Sequence, residues 1–339
     1  ITHRMIELFS RKVEQEEGGW EGMTEEVRDR IMDECVDQAA EEYGHQILHS
    51  SARNEFMIER LRRILRRTAW ALQKQILAGQ FRPAGIEVSF SQVADLDAVN
   101  LALSDEEKMR LKGKIDRIDV CEKEQEVYIK VIDYKSGNKS FDLVALYYGL
   151  QLQLVVYLNA AVEMEQRIHR DKEIVPAGIF YYHVKDPMLT GKETASPEQI
   201  RQEILKELKV RGLVNEEPKV YREMDQYFSG SSDLIPVAEN KDGSLSKRSK
   251  TVKKEQFHIL SDFVQEKMKE LGRRMLDGEI AAVPFERKTQ TGCDYCIYRS
   301  ICRMDKKMPG THYHRLKEYS EEMIWKQMES QKNGNELDQ

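Results

Sequence analysis

Two residue patterns in this chain have the types and spacing of reactive groups. The first is Gly113-Lys114-Ile115-Asp116-Arg117, followed by Asp133-Tyr134-Lys135. Asp133 and Lys135 are two apart, so on a strand they emerge on one face, and an antiparallel neighbour brings Asp116 alongside. Paired carboxylates are hard oxygen donors that suit Mg2+ or Mn2+, whose other positions take water and phosphate oxygens. A lysine beside them orients a water or neutralises charge on a pentavalent phosphorus. The expected chemistry is metal-assisted hydrolysis of a phosphodiester. Asp119 is the alternative carboxylate if the register differs, although its odd offset from Asp116 turns it to the opposite face.

The second pattern is Cys293-x2-Cys296-x5-Cys302. Three clustered thiols fill three corners of one metal site. Zinc with His312 or His314 as fourth ligand and an iron-sulfur cluster with a fourth thiolate are both open on chemistry alone. Cys35 and Cys121 stand apart. So few cysteines exclude a disulfide-dense scaffold and point to a reducing, cytoplasmic compartment.

To position these groups the chain needs a sheet edge with a helix across it. Residues 1–80 read as helical, with Leu61, Ile64, Leu65, Thr68, Ala69, Leu72 and Ile76 on one face. From Ile86 the period becomes two, and Leu111–Val120 with Val127–Tyr134 reads as a hairpin around a charged turn. Phe141–Met164 reads as one long helix, Val175–Val184 as a strand, and Pro197–Lys209 and Phe257–Leu276 as helices. Gly230–Lys254 has few large apolar residues and reads as a loop, and the last ten residues read as frayed. The order predicts an α/β (mixed α+β) fold: a small mixed sheet flanked by helices, with the residues after Lys185 as additions.

Composition narrows the function classes. The 339 residues are 40% hydrophobic, which is enough for a real core, and the formal charge of −6 excludes a protein coated in nucleic acid. A polyanion would have to meet local basic surface. Candidates for phosphate contact are Arg60, Arg63 and Arg67 on the helix, with Arg62 and Arg66 beside them, and Lys247, Arg248, Lys250, Lys253 and Lys254 in the loop. No apolar stretch approaches the roughly 20 residues of a membrane span, so no membrane partner is expected. The opening ITHRMIELFS lacks the pattern of a secretory leader and reads as cut from a longer protein.

GKIDRID, VIDYKSG and the following QLVVY together resemble the Asp, Asp-x-Lys and Gln-x-x-x-Tyr motifs of the RecB-like branch of the PD-(D/E)XK nucleases. The helix and strand order matches, while Ile115 stands where the family name has proline. The resemblance implies a restriction-endonuclease-like core in which His3, Asp116 and Asp133 bind Mg2+ or Mn2+ and Lys135 positions or activates the attacking water. Gln153 and Tyr157, four apart and so on one helix face, would steady the phosphate or Lys135. Glu87 corresponds to an acidic residue on the first core strand of that branch and is a further catalytic candidate. The glycine of the family's His motif would lie before Ile1.

ERKTQTGCDYCIYRSICR resembles the C-terminal iron-sulfur motif of AddB-type helicase-nuclease subunits. This implies a [4Fe-4S] cluster on Cys293, Cys296 and Cys302 in the parent protein, with the fourth cysteine upstream of Ile1. By the same resemblance the chain is the nuclease domain of such a subunit, cutting DNA, on the 5′-ended strand, in double-strand-break repair and recombination. An AddA-type helicase would be its partner, and since no GxxxxGK[ST] pattern occurs here, ATP hydrolysis is expected of that partner. The rivals are a stand-alone RecB-family or CRISPR-associated iron-sulfur exonuclease and a catalytically degenerate DNA-binding scaffold. The expected organisation is a helical part with the His motif at 1–82, the nuclease core at 83–190 and a helical and loop insertion at 191–284. The cysteine cluster would follow at 285–310 and a terminal helix or tail at 311–339.

Overall fold

Nearly every residue of Glu126–Lys135 and of Glu173–His183 is buried, which marks these two apolar runs as neighbouring interior strands with both faces covered. The computed structural model describes residues 1–44, 47–93, 95–189, 196–307 and 310–337, with side chains as far as residue 331. Helices α1 (Thr2–Gln15), α2 (Gly19–Gly22), α3 (Glu25–Glu42) and α4 (Ala52–Leu77) come first. Strands β1 (Arg82–Ser89), β2 (Asn100–Ala102), β3 (Lys108–Arg110), β4 (Lys114–Glu122) and β5 (Glu126–Lys135) follow. Next are α5 (Leu143–Tyr147), α6 (Gln153–Ile168), β6 (Glu173–His183), α7 (Pro197–Glu207), β7 (Arg211–Asn215), α8 (Pro218–Tyr221), β8 (Thr251–Val252) and α9 (Lys254–Leu276). Last are β9 (Phe285–Arg287), β10 (Gln290–Thr291), α10 (Arg299–Cys302), β11 (His314–Arg315) and α11 (Glu321–Leu337).

The chain forms two compact units, the first of residues 1–100, 110–141 and 153–261, the second of residues 101–109, 142–152 and 262–339. In the first unit a six-stranded sheet runs in the order β1-β4-β5-β6-β7-β8. The β4–β5 hairpin is antiparallel and β5–β6 is parallel, so the connection between β5 and β6 must cross over, and α6 lies in that crossover. On one face of the sheet α1, α3 and α4 bury Met5, Phe9, Val36, Leu65, Leu72 and their neighbours. Side-chain caps fix the helix starts: Thr24 accepts from Val27 N–H, Ser51 from Asn54 N–H, and Ser196 with Gln199 closes a capping box.

In the second unit Asp142 caps α5 and is gripped by Arg287, which also binds Glu318. Tyr147 stacks on Phe263, and Tyr148 stacks on Tyr319. A small sheet of order β10-β9-β11 precedes α11, whose Ile324 and Met328 are buried.

Three expectations change. The helix predicted over Phe141–Met164 is two helices, α5 and α6, because Gly149 takes φ +81° between them and ends the helical path. Two segments beyond Lys185 extend the sheet rather than lying outside it, since β7 pairs with β6 and β8 with β7. The segment Gly230–Lys254 is packed as well as looped. Ser232 Oγ donates to Asp225 at 2.7 Å and accepts from the N–H groups of Leu234 and Ile235, while Leu234, Ile235 and Val237 are buried. Its few apolar residues all point inward, which composition averaging conceals. At the end of the chain α11 runs to Leu337, and residues 338 and 339, part of the predicted frayed tail, lie outside the described residues.

Strand alternation sends Arg117 and Asp119 to the face opposite Asp116. There Arg117 holds Asp119 at 2.5 and 2.7 Å, and Lys130, the cross-strand partner of Asp119, lies 3.3 Å from it. All three are buried. Burial works against the Asp119 carboxylate, but the Arg117 guanidinium and the Lys130 ammonium outweigh it and hold its pKa below the usual range. Asp119 is therefore committed to a buried ion triad. Removing it strands two buried cations, so Asp119→Ala should cost about 3–5 kcal/mol in a denaturant melt at about pH 7. With a folded pKa below the unfolded one, this stabilisation is complete above the ordinary carboxylate pKa of about 3.9 and is lost as pH falls through the folded value. The gap between wild type and Asp119→Asn should accordingly narrow as the pH is taken well below the ordinary carboxylate range. An unchanged gap would count against the triad as its source.

Candidate active site

The hairpin register that opposes Asp119 to Lys130 brings the two predicted carboxylates to one end of the sheet. Asp116 is 5% exposed and Asp133 is 1% exposed. Asp116 Oδ2 accepts the Tyr134 N–H at 2.7 Å, which fixes the carboxylate across the two strands. Its Oδ1 lies 3.7 Å from His3 Nδ1, supplied by the first turn of α1. His3 Nε2 lies 2.9 Å from the Tyr134 carbonyl oxygen. A carbonyl only accepts, so Nε2 carries a proton and donates it there, which leaves Nδ1 facing Asp116.

Glu87 completes the group. Ile86 pairs with Arg117 and Val88 with Ile115, so Glu87 stands opposite Asp116 on β1. Its backbone has φ +51°, in the left-handed region, a conformation that costs a non-glycine residue about 1–3 kcal/mol and recurs at functional sites. His3, Glu87 and Asp116 each bring one donor atom to within 4.8 Å of the others, and among the described residues they are the one such trio. Donors around a single Mg2+ lie at most about 4.2 Å apart, so a small side-chain rotation fits this nitrogen and oxygen set to a divalent cation.

Asp133 and Lys135 form the other half of the site. Lys135 Nζ lies 2.5 Å from Asp133 Oδ2 and donates to Gln153 Oε1 at 3.1 Å. Gln153 Nε2 in turn donates to Tyr157 OH at 2.7 Å. The i,i+4 pair on α6 thus reaches Lys135 as a relay, and the Tyr157 ring rests edge-on to Phe90. Burial, opposed by the Gln153 hydrogen bond and reinforced by Asp116 and Asp133, pushes the Tyr157 hydroxyl up to about 12. It stays protonated at neutral pH and keeps a proton to donate. Lys135 Nζ also lies 5.6 Å from the centre of the Tyr181 ring on β6. Sequence reading missed Tyr181, whose only signal is that the IFYYH run aligns with VIDYK once the two strands are paired in parallel.

The structure therefore brings together His3, Glu87, Asp116, Asp133, Lys135, Gln153 and Tyr157. Glu87, second in rank by sequence, lies with His3 and Asp116, while Asp133 is held by Lys135. The other predicted groups lie elsewhere. Arg63 and Arg67 pair with Asp186, Arg62 with Asp37 and Arg66 with Asp33, whereas Arg60 is exposed with no carboxylate partner among the described residues. Lys247, Arg248, Lys250 and Lys253 are exposed, and Lys254 pairs with Glu173. Glu173 opens β6, about ten residues and roughly 33 Å along the strand from His183, the neighbour of Lys135. Cys293 and Cys296 are half-buried and Cys302 is exposed, and the three thiols do not converge to within 4.8 Å. Tyr313 OH donates to Cys293 Sγ at 3.5 Å.

Comparison with known proteins gives a consistent picture. The family model described as the PD-(D/E)XK nuclease superfamily matches residues 1–303. A protein of Thermoanaerobacter sp. (strain X514), named as a subunit of an ATP-dependent helicase/deoxyribonuclease, is 37% identical over 340 aligned positions, covering 100% of this chain and 29% of the relative. A protein of the same name from Clostridium acetobutylicum is 40% identical over 329 positions, covering 97% of this chain and 28% of the relative. The chain thus spans under a third of the length of the curated relatives it matches. No helix among the described residues is long and apolar enough to cross a membrane.

Burial first, and then the nearby Asp133 carboxylate, push the Asp116 carboxyl up to about 6 against the pull of His3 and the Tyr134 N–H. A raised carboxyl pKa means that the proton is held at pH 5 and must leave before a cation binds. Below about pH 6 the apparent affinity for Mn2+ should fall about tenfold per pH unit in calorimetric titrations, and Asp116→Asn should remove that slope together with most of the binding. The same shift has the opposite sign for folding. Above about pH 6 the ionised Asp116 destabilises the metal-free fold, so Asp116→Asn should stabilise it at neutral pH by on the order of 2 kcal/mol in a thermal melt.

Proposed function

The chain belongs to the PD-(D/E)XK nuclease superfamily, and on that premise we propose that it is the nuclease domain of an ATP-dependent helicase-nuclease subunit, hydrolysing phosphodiesters of single-stranded DNA with Mg2+ or Mn2+. The observation that carries the reading is the junction of the Asp133–Lys135–Gln153–Tyr157 relay with the His3–Glu87–Asp116 trio at one end of the β4–β5 hairpin. A divalent cation held by that trio, with Asp133 beside it, supplies Lewis acidity and charge neutralisation for a phosphodiester oxygen. Lys135, in direct contact with Asp133, would orient the attacking water from one side of that pair, and the Asp133 carboxylate would accept its proton. Gln153 keeps the Lys135 side chain turned into the site, and Tyr157, protonated at neutral pH, offers its O–H to a phosphate oxygen.

The names of the relatives support DNA as substrate and a helicase as partner. We extend the reading to an AddA-type motor that delivers the strand, to the 5′-ended strand as the one cut, and to break repair in the cytoplasm. Cys293, Cys296 and Cys302 offer three of the four thiolates a [4Fe-4S] cluster takes, and we assign them to such a cluster in the full-length protein. Of the predicted basic residues, Arg60 has an open guanidinium for passing DNA, and the exposed Lys247, Arg248, Lys250 and Lys253 offer a second contact away from the cleft.

In the full-length protein, Asp133→Ala and Lys135→Ala should each slow Mg2+-dependent cleavage of a single-stranded oligonucleotide by about a thousandfold or more. Gln153→Ala should slow it by about tenfold, the loss of one positioning hydrogen bond. Circular dichroism should be unchanged in all three. Undiminished cleavage in the Asp133 and Lys135 variants would overturn the assignment.

A further inference from the structure

A second lysine stands at the same end of the sheet. Parallel pairing sets Tyr181 beside Asp133 and His183 beside Lys135, so β6 carries the floor of the site as well as the strand next to it. Tyr181 is fully buried, and both Lys135 Nζ, at 5.6 Å, and Lys139 Nζ, at 5.7 Å, lie against its ring. Attraction between an ammonium and an aromatic face holds a cation without neutralising it. Lys139 belongs to the short segment that leaves β5 after Lys135, and its carbonyl oxygen accepts the His183 Nε2–H at 2.7 Å. His183 is itself buried, so the backbone of Lys139 is tied to the sheet and the loop cannot swing the lysine away without breaking this partly buried hydrogen bond.

The two lysines differ in what they already hold. Lys135 is bound to Asp133 and to Gln153. Lys139 is half-buried, and among the described residues no carboxylate lies within 4.0 Å of its ammonium. Two cations sharing one ring repel each other, and burial first, then Lys135, lowers the Lys139 pKa against the opposing attraction of Asp133, which lies beyond ion-pair distance. Burial also lowers the pKa of His183, which is therefore neutral at neutral pH and adds no third charge.

We propose that Lys139 is a phosphate-binding residue of this site, gripping a non-bridging oxygen of the DNA strand in the cleft, with Tyr181 and His183 as the positioning residues that hold it there. The proposal rests on the nuclease reading and adds to it a substrate contact separate from the water-positioning Lys135. Binding the strand adds the missing anion to Lys139, so the contact forms in the ground state and is felt in KM more than in kcat.

The test uses the full-length protein and a single-stranded oligonucleotide in Mg2+. Lys139→Met should raise KM about tenfold, with kcat within about twofold, and should lower the slope of log KM against log salt by about 0.7, the share of one phosphate contact on a single strand. Lys139→Arg should recover most of both effects, because it restores the charge while a merely structural role for the lysine stem would not. His183→Phe, which releases the Lys139 carbonyl, should move KM in the same direction by a smaller factor. Wild-type KM and salt slope in Lys139→Met would overturn the proposal, as would a loss that Lys139→Arg does not recover. The nuclease reading fails differently, by cleavage that survives Asp133→Ala, so the two outcomes are separable.

Discussion

Everything at this site answers one unfavourable fact: two carboxylates, Asp116 and Asp133, are buried next to each other at the end of a sheet. Burial and like-charge repulsion both favour protonation, and for Asp116 they prevail. The surrounding groups divide the compensation. Lys135 answers Asp133, the Tyr134 N–H and His3 answer Asp116, and the remaining deficit is the free energy that a bound cation recovers. The strained backbone at Glu87 belongs to the same balance, since a third carboxylate is turned toward a pair that already repels. An arrangement so unfavourable by itself is what the proposed cation would offset.

The hairpin performs this on one face only. On β4, Asp116 and Asp119 differ by an odd number of residues, and the pleat sends them to opposite sides. Asp119 meets a guanidinium and an ammonium and is saturated, so it stabilises the packing beneath α1, α3 and α4. Asp116 meets one imidazole nitrogen at 3.7 Å and a single backbone donor, a weaker set of partners than the guanidinium and ammonium that hold Asp119. Two aspartates on one strand acquire opposite duties from the counter-charges on their own side. The parallel neighbour β6 extends the logic, placing an uncharged aromatic ring rather than a carboxylate beneath the lysines.

Sequence exposes the parts of this that are periodic. The period-two runs located β4 and β5, and the offset of Asp133 from Lys135 converts directly into a shared strand face, whereas Gln153 and Tyr157 share a helix face by their spacing but were singled out only by the family resemblance. Glu87 was harder to rank, since its contribution depends on a left-handed φ at a non-glycine residue that composition does not signal. Gly149 sat inside an apolar period strong enough to suggest one helix, and only its positive φ shows the break. Tyr181, His183 and Lys139 were invisible for a different reason. Their relation to Asp133 and Lys135 depends on the register of two strands separated by a whole crossover helix, and no local pattern encodes it.

The basic helix illustrates the same limit with the opposite result. Five arginines within eight residues of α4 look like a phosphate-binding face in one dimension. In three dimensions four of them, Arg62, Arg63, Arg66 and Arg67, border a groove of about 560 Å3 that Glu25, Asp29 and Glu59 also line, and Asp33, Asp37 and Asp186 pair with these arginines. Each of Arg62, Arg63, Arg66 and Arg67 already has a carboxylate partner, so the groove offers little net field to a polyanion. In a chain with formal charge −6, attraction for a phosphate backbone therefore has to be local, exerted by cations whose counter-ions are absent. At the Asp133–Lys135 end of the sheet that description fits Lys139 better than the paired arginines of α4, because the ring beneath it holds the ammonium in place and leaves its charge unneutralised.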